Sequence, residues 1–229
     1  VNYTWDFSPV WEYRSAILRG AVTTLTLTIF SCGAGTLIAV PVSLGLTSER
    51  AWLRLLTTTV VELWRACPPL VLLLWAFYLL PVATGFGFSP YTTAVICFTA
   101  IYACFAADIF RGAISSVPRL TLDSGRALGM NRSTLLRRII IPDVFRRSLP
   151  ALNALSVGTL KMSSLASVIA VAELTYSAQW ILTFRPKTLE IYTAAAAAYV
   201  LLIVPLVIVL RYVEGRPWCA LNPVSHAGR

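Results

Sequence analysis

The sequence predicts an all-α integral membrane fold, on the strength of its composition, the length of its apolar runs and the placement of its arginines. Of the 229 residues, 57% are hydrophobic and 13% charged, against about 45–50% and about 25% in soluble domains. The mean hydropathy is +0.73. Five runs reach or approach the ~20 apolar residues that cross a bilayer as a helix, and most of the basic residues fall between them. One membrane domain, 21–214, is expected, preceded by an N-terminal segment, 1–20, and followed by a tail, 215–229.

The runs are 21–46, 55–80, 91–114, 149–174 and 191–213. Before the first, Trp5, Phe7, Trp11 and Tyr13 alternate with charges up to Arg19, which reads as an interfacial segment with an aromatic anchor. No basic stretch precedes an apolar core within the first nine residues, so no cleavable signal peptide is expected. Arg50 and Arg54 follow the first run, and eight arginines between Arg111 and Arg147 follow the third, whereas 82–90 has no basic residue and the link before the last run has only Arg185 and Lys187. By the positive-inside rule the arginine-rich side is cytoplasmic. The N-terminus is then outside and the C-terminus, with Arg211, Arg216 and Arg229, inside; Arg14 and Arg19 run against this.

A net charge of +9 does not point to nucleic acid, because the basic residues form no patch interleaved with exposed aromatics. Five cysteines (Cys32, Cys67, Cys97, Cys104, Cys219) are odd in number, and four lie in apolar runs, where Cys acts as a small hydrophobe. Neither a disulfide framework nor a metal site is expected. No Gly-x-x-x-x-Gly-Lys-Ser/Thr phosphate loop is present, so ATP hydrolysis is not expected of this chain, and the lone His226 sits in a polar tail. The alanine run 194–198 reads as a close-packing face.

The segment 115–148 is the least membrane-like. Thr121 or Asp123 can start a short helix with Leu122, Ala127 and Leu128 on its apolar side, and Gly129 suits its stop. A second short helix is expected from Asn131 or Ser133 through Leu135, Leu136, Ile139 and Ile140, halted by Pro142. Such a pair either docks in the groove of a soluble partner or lies on anionic lipid.

Ionisable residues away from the ends of the runs include Glu62, Arg65, Asp108, Lys161 and Glu173. A charge in hydrocarbon costs at least ~2.5–3.5 kcal/mol, so each should face protein or a water-filled cavity. Glu62 and Arg65, three apart, either neutralise each other or serve transport. Asp108 and Arg111 suit a structural ion pair. On the fourth run Asn153, Ser156, Ser163, Ser164 and Ser167 fall within an arc of roughly 100° on an ideal helix. That stripe either lines a pathway, with Lys161 at its edge and Glu62 or Glu173 as the lysine's partner, or hydrogen-bonds to neighbouring helices.

Several blocks carry a family resemblance. Leu122-Asp123-Ser124-Gly125-Arg126-Ala127-Leu128-Gly129, followed by Ile139-Ile140-Ile141-Pro142, resembles the cytoplasmic coupling loop of ABC-importer permeases: Gly129 and the ending are in register, and Asp-Ser-Gly stands where Glu-Ala-Ala is usual. Val61-Glu62-Leu63-Trp64-Arg65-Ala66-Cys67-Pro68-Pro69-Leu70, Ala107-Asp108-Ile109-Phe110-Arg111-Gly112-Ala113-Ile114 and Leu160-Lys161-Met162-Ser163-Ser164-Leu165-Ala166-Ser167-Val168-Ile169 resemble the polar-amino-acid uptake branch, the histidine, glutamine and arginine type.

The resemblance implies five transmembrane helices of the type I ABC importer permease kind in a bacterial inner membrane. It implies a translocation pathway shared with a second permease subunit, identical or homologous, two cytoplasmic ATPase subunits that carry ATP and Mg, and an extracytoplasmic substrate-binding protein. This chain itself would bind no cofactor. Residues 122–129 would couple to the ATPase, and Glu62, Arg65, Lys161, Ser163, Ser164, Ser167 and Glu173 are the pathway candidates. A stand-alone channel or secondary carrier would favour internal repeats, which are not visible; a membrane anchor would leave the intramembrane charges as an unexplained cost.

Overall fold

A computed structural model of the chain describes residues 4–215, with only the backbone of Arg119, Leu122, Arg126, Arg132, Val213 and Gly215. The tail from residue 216, with Cys219 and His226, lies outside the described residues. Every regular element is helical: α1 (Ser8–Glu12), α2 (Arg14–Leu46), α3 (Ala51–Ala66), α4 (Pro69–Leu74), α5 (Leu80–Thr84), α6 (Pro90–Ser115), α7 (Arg119–Ala127), α8 (Arg132–Leu135), α9 (Ile141–Met162), α10 (Leu174–Phe184) and α11 (Thr188–Gly215). Four continuous helices are long and apolar enough to cross a membrane, and α3 with the Pro69–Thr84 stretch makes a fifth span bent by 99°.

The first spanning helix, α2, starts at Arg14, inside the segment expected to be interfacial, and at ~1.5 Å per residue its 33 residues extend about 50 Å, longer than the ~30 Å hydrocarbon core. It packs along α6 through a glycine contact. A Cβ on Gly35 would come within 2.7 Å of the Tyr102 ring and 3.1 Å of the Thr99 carbonyl oxygen. That close approach makes α6 the central pillar. Its Ala94, Phe98 and Ile101 join Leu27 and Leu73 in one cluster, and Tyr102, Ala106 and Phe110 join Ala39 and Val61 in the next.

The second run is broken because two consecutive prolines each force the residue before them into extended backbone: Cys67 has ψ 134° and Pro68 ψ 133°. A wider turn with π geometry, Trp75–Leu79, then precedes Pro81. The same device recurs at Leu136–Ile140 before Pro142. Proline lacks an N–H and its ring presses on the carbonyl four residues back, and a π turn relieves both demands. Pro142 therefore does not halt a helix, contrary to the sequence expectation; α8 runs through the π turn into α9 as one long span, 133–169.

At the other end α9 tightens to a 3-10 helix, Ser163–Ile169, and stops at Ala170, whose φ of 60° is left-handed. The chain turns and α10 begins at Leu174. The N-terminal segment lies against the turn after α10: the Asp6 N–H donates to Glu190 at 3.1 Å, Lys187 approaches Asp6 at 3.8 Å and Arg185 pairs with Glu12 at 3.2 Å. The Ser8 hydroxyl and N–H hold the Asp6 carboxyl below the usual carboxylate range. The alanine run on α11 buries only Ala195 among the described residues; Ala196 and Ala197 are exposed.

Candidate functional site

Glu62 and Arg65 share one face of α3, and Arg65 bonds Glu62 at 3.2 Å. The same guanidinium reaches Asp108 on α6 at 3.4 Å, and Asp108 in turn pairs with Arg111. The result is an alternating ladder, Glu62–Arg65–Asp108–Arg111, that ties α3 to α6. Arg65 also lies 5.2 Å from the centre of the Phe105 ring, within cation–π reach, while its Nε is buried without a partner. The link from Arg65 to Asp108 joins two runs and has no signal in local spacing.

The fourth run departs from the expected stripe because its backbone changes pitch at Ser163. In the 3-10 stretch the hydroxyls turn back on the chain: Ser163 donates to the Leu160 carbonyl, Ser164 to Lys161 and Ser167 to Ser164. Ser163 and Ser167 are buried and Ser164 is half-buried. Further along α9, Ser156 meets the Tyr102 hydroxyl at 3.2 Å and Asn153 donates to Glu214 on α11. Asn153 and Ser156 are thus helix-to-helix contacts. Lys161 is exposed and makes no ion pair among the described residues. Neither glutamate expected as its partner takes that role.

Glu173 has a different task. It is fully buried at the N-terminus of α10, and its carboxylate accepts from the Thr175 N–H at 2.9 Å, the Tyr176 N–H at 2.7 Å and the Tyr199 hydroxyl at 2.8 Å. The Leu174 N–H goes to the Thr24 hydroxyl at 3.2 Å. A helix start leaves its first N–H groups without intrahelical partners, and here Glu173 and Thr24 satisfy all of the first three. Thr24 and Tyr199 were not singled out from sequence; they lie 150 and 26 residues from their partners, and nothing local announces them.

In the cytoplasmic-type segment α7 begins at Arg119, two to four residues earlier than expected, and ends before Gly129, whose φ of 71° makes the turn. Gly125 lets α7 close on α8, since a Cβ there would run into the Leu135 side chain. Asp123, Ser124, Ala127 and Leu128 are exposed, and the side chains of Leu122 and Arg126 lie outside the described ones. Leu120, which the sequence reading passed over, is 76% exposed on α7, and Leu128, just after it, 78%. Neither leucine is covered by the described residues, which leaves apolar surface on this segment.

A family model described as "Binding-protein-dependent transport system inner membrane component" matches residues 32–218. The chain is 30% identical over 212 residues to the glutamine transport system permease protein GlnP of Escherichia coli (strain K12), covering 92% of this chain and 97% of that one. It is 36% identical over 202 residues to the L-cystine transport system permease protein TcyB of Bacillus subtilis (strain 168), covering 87% and 86%. Among solved structures, a chain from a crystal structure of an amino acid ABC transporter with histidines superposes with a TM-score of 0.86 at 28% identity, covering 93% of this chain and all of that one. A chain of the inward-facing MetNI methionine ABC transporter shares the fold, with a TM-score of 0.70 at 20% identity.

Proposed function

The chain belongs to the family of binding-protein-dependent transport system inner membrane components, the permease subunits of ABC importers, and we propose that it carries a polar amino acid or a related small zwitterion. The substrate class is supported by relatives named for glutamine and cystine transport and by the match to an amino acid ABC transporter. Transport would follow a path formed with a second permease subunit, identical or homologous, after delivery by an extracytoplasmic binding protein. Two ATPase subunits, holding ATP and Mg, would drive it from the cytoplasm. The family is that of the permease subunit, and hydrolysis belongs to the partner.

The observation that carries the pathway reading is Lys161. An ammonium on a spanning segment with no acidic partner among the described residues needs water or a ligand carboxylate to compensate it. Half-buried Ser164 is its neighbour, and Met162 and Leu165 share a hydrophobic cluster with Trp64, next to Arg65. Pathway contact is thereby proposed for Lys161 and Ser164 first, and for the exposed Glu62 and half-buried Arg65 second. Ser163, Ser167 and Glu173 support the backbone that presents them. Coupling is proposed for α7 and the Gly129 turn, with Leu120 and Leu128 docking on the ATPase. On this reading the N-terminus is outside and the C-terminus in the cytoplasm, as the arginine distribution supports.

The test is uptake into proteoliposomes by the transporter assembled with its ATPase and binding protein, over a panel of amino acids. Lys161→Met is expected to assemble and keep ligand-stimulated ATPase activity but lose uptake, and Ser164→Ala to weaken uptake. Unchanged uptake in both variants removes the pathway assignment.

A further inference from the structure

A cleft of about 630 Å³ opens between α2, α3 and α6; none of the residues proposed for transport lines it, although its Trp64 adjoins Arg65. Its walls include Ile38 and Val42, Val60 and Trp64, and Ile96 and Ala100, and the only hydroxyl-bearing residues among its lining are Thr57 and Thr99. Its length can be read along α2. A Cβ on Gly45 would run against Thr57, and one on Gly35 against the Thr99 carbonyl oxygen. Ten residues of helix separate these levels, about 15 Å. That is half of the ~30 Å hydrocarbon core, the depth of one leaflet.

The end of the cleft at Thr57 is marked by charge. Arg54 stands one turn before Thr57 on the same side of α3, and Arg50 occupies the N-cap position of that helix. Both are exposed, and neither takes part in an ion pair among the described residues. One acid, Glu49, adjoins them. Trp52, between the two arginines, is 63% exposed, as befits an aromatic side chain at the membrane interface.

We propose that the cleft holds one acyl chain of an anionic phospholipid whose phosphate lies against Arg50 and Arg54. The apolar walls and a length of about one leaflet argue for a hydrocarbon chain. The charge argues for an anionic lipid, since arginines next to the membrane surface favour acidic headgroups and bind phosphate through paired N–H groups. The site would let acidic lipid brace α3, the first half of the bent span, against α2 and α6.

The experiment uses the assembled transporter in nanodiscs that contain dibrominated phosphatidylglycerol or dibrominated phosphatidylcholine, and reads quenching of Trp64 as the difference between the wild type and Trp64→Phe. Phosphatidylglycerol is expected to quench at about fivefold lower mole fraction, the scale set by two membrane-surface arginines offset by one glutamate. Arg50→Gln with Arg54→Gln should erase that preference, and Arg54→Lys should keep most of it. Equal quenching by the two lipids overturns the proposal, as does no quenching by either, which would mean that protein covers the cleft. If Trp64→Phe fails to assemble, native mass spectrometry replaces it. One phosphatidylglycerol retained per permease chain, lost in the double glutamine variant, is expected, and equal retention overturns the proposal.

Discussion

Two breaks in the helical path, one within the bent span and one at the end of the span 133–169, are made by opposite means. Between α3 and α4 the helix ends because Cys67 and Pro68 both precede prolines, and the backbone there is extended with few partners: Cys67 and Pro68 are exposed. Between α9 and α10 no proline is present. The chain narrows to a 3-10 helix, leaves it through left-handed Ala170 and starts again at Glu173, with each free N–H of the new helix bonded to Glu173 or Thr24. The first break is written into the covalent chemistry of the backbone and needs nothing around it. The second exists only because distant side chains complete it, so it should be far more sensitive to substitution.

The largest effect is expected at Glu173. Removing the fully buried carboxylate in Glu173→Ala leaves the Thr175 and Tyr176 N–H groups without an acceptor and the Tyr199 hydroxyl with only that of Thr175, and an unsatisfied buried donor costs about 1–3 kcal/mol. Several kcal/mol should be lost, seen as a large fall in the thermal midpoint of the purified complex or as failure to assemble. Glu173→Gln, which keeps one acceptor oxygen, should fall between. A Glu173→Ala complex as stable as the wild type would mean that the second break does not depend on its cap.

Gly20→Val ranks next. A side chain at Gly20 would strike the Glu173 carbonyl oxygen and the Leu174 Cα, both 3.0 Å from the Cβ position, as well as the Ser177 hydroxyl. Two of these are backbone atoms and cannot rotate away. Overpacking of this kind costs about 1–3 kcal/mol, and the loss should be measurable by the same thermal assay. Gly33, with open space around the Cβ position, is the control: Gly33→Val should change little.

The contrast between the breaks also explains what could be read in advance. Apolar run length and arginine placement are local and additive, so the number of spans was legible. Glu62 with Arg65, Asp108 with Arg111 and the turn at Gly129 were legible for the same reason, each being a matter of three residues or one. Pro142 misled because proline only requires that the backbone change there, and a π turn meets that requirement without ending the helix. The serines misled because a face drawn at 100° per residue has no meaning once the pitch changes at Ser163. Glu173 read as an intramembrane charge that could pair with Lys161 or face the pathway. Its partners, Thr24 and Tyr199, come from other helices and are supplied only by the fold.

At the proline break a small effect is expected. In Pro68→Ala, Pro69 still forces residue 68 into extended backbone, and the exposed ring removed from position 68 takes little packing with it. The thermal midpoint should move by an amount equivalent to less than about 1 kcal/mol, within the range of surface substitutions. Replacing both prolines with alanine would free the helix to straighten, and uptake should then fall although stability holds. A large destabilisation by Pro68→Ala alone would show that the first break is also held from outside.

The smallest effect carries a sign that separates the two breaks most cleanly. Ala170 sits at φ 60° and ψ 28°, and the Val171 N–H returns to the Ala166 carbonyl at 3.1 Å, a helix ending in which glycine is the usual left-handed residue. An L side chain in that conformation costs about 1–2 kcal/mol. Ala170 is exposed, so its methyl group contributes little packing in return. Glycine would remove the strain at a cost of about 0.5–1 kcal/mol in lost backbone freedom on folding. Ala170→Gly should therefore stabilise the complex slightly, by up to about 1 kcal/mol, whereas Ala170→Val should destabilise it, because a β-branched residue tolerates positive φ badly. If the strain serves to keep the break poised for movement, the glycine variant will be more stable and transport more slowly. If it is merely tolerated, the variant will be more stable at an unchanged rate. A glycine variant less stable than the wild type would mean that Ala170 is not strained, and that the second break is held at Glu173 alone.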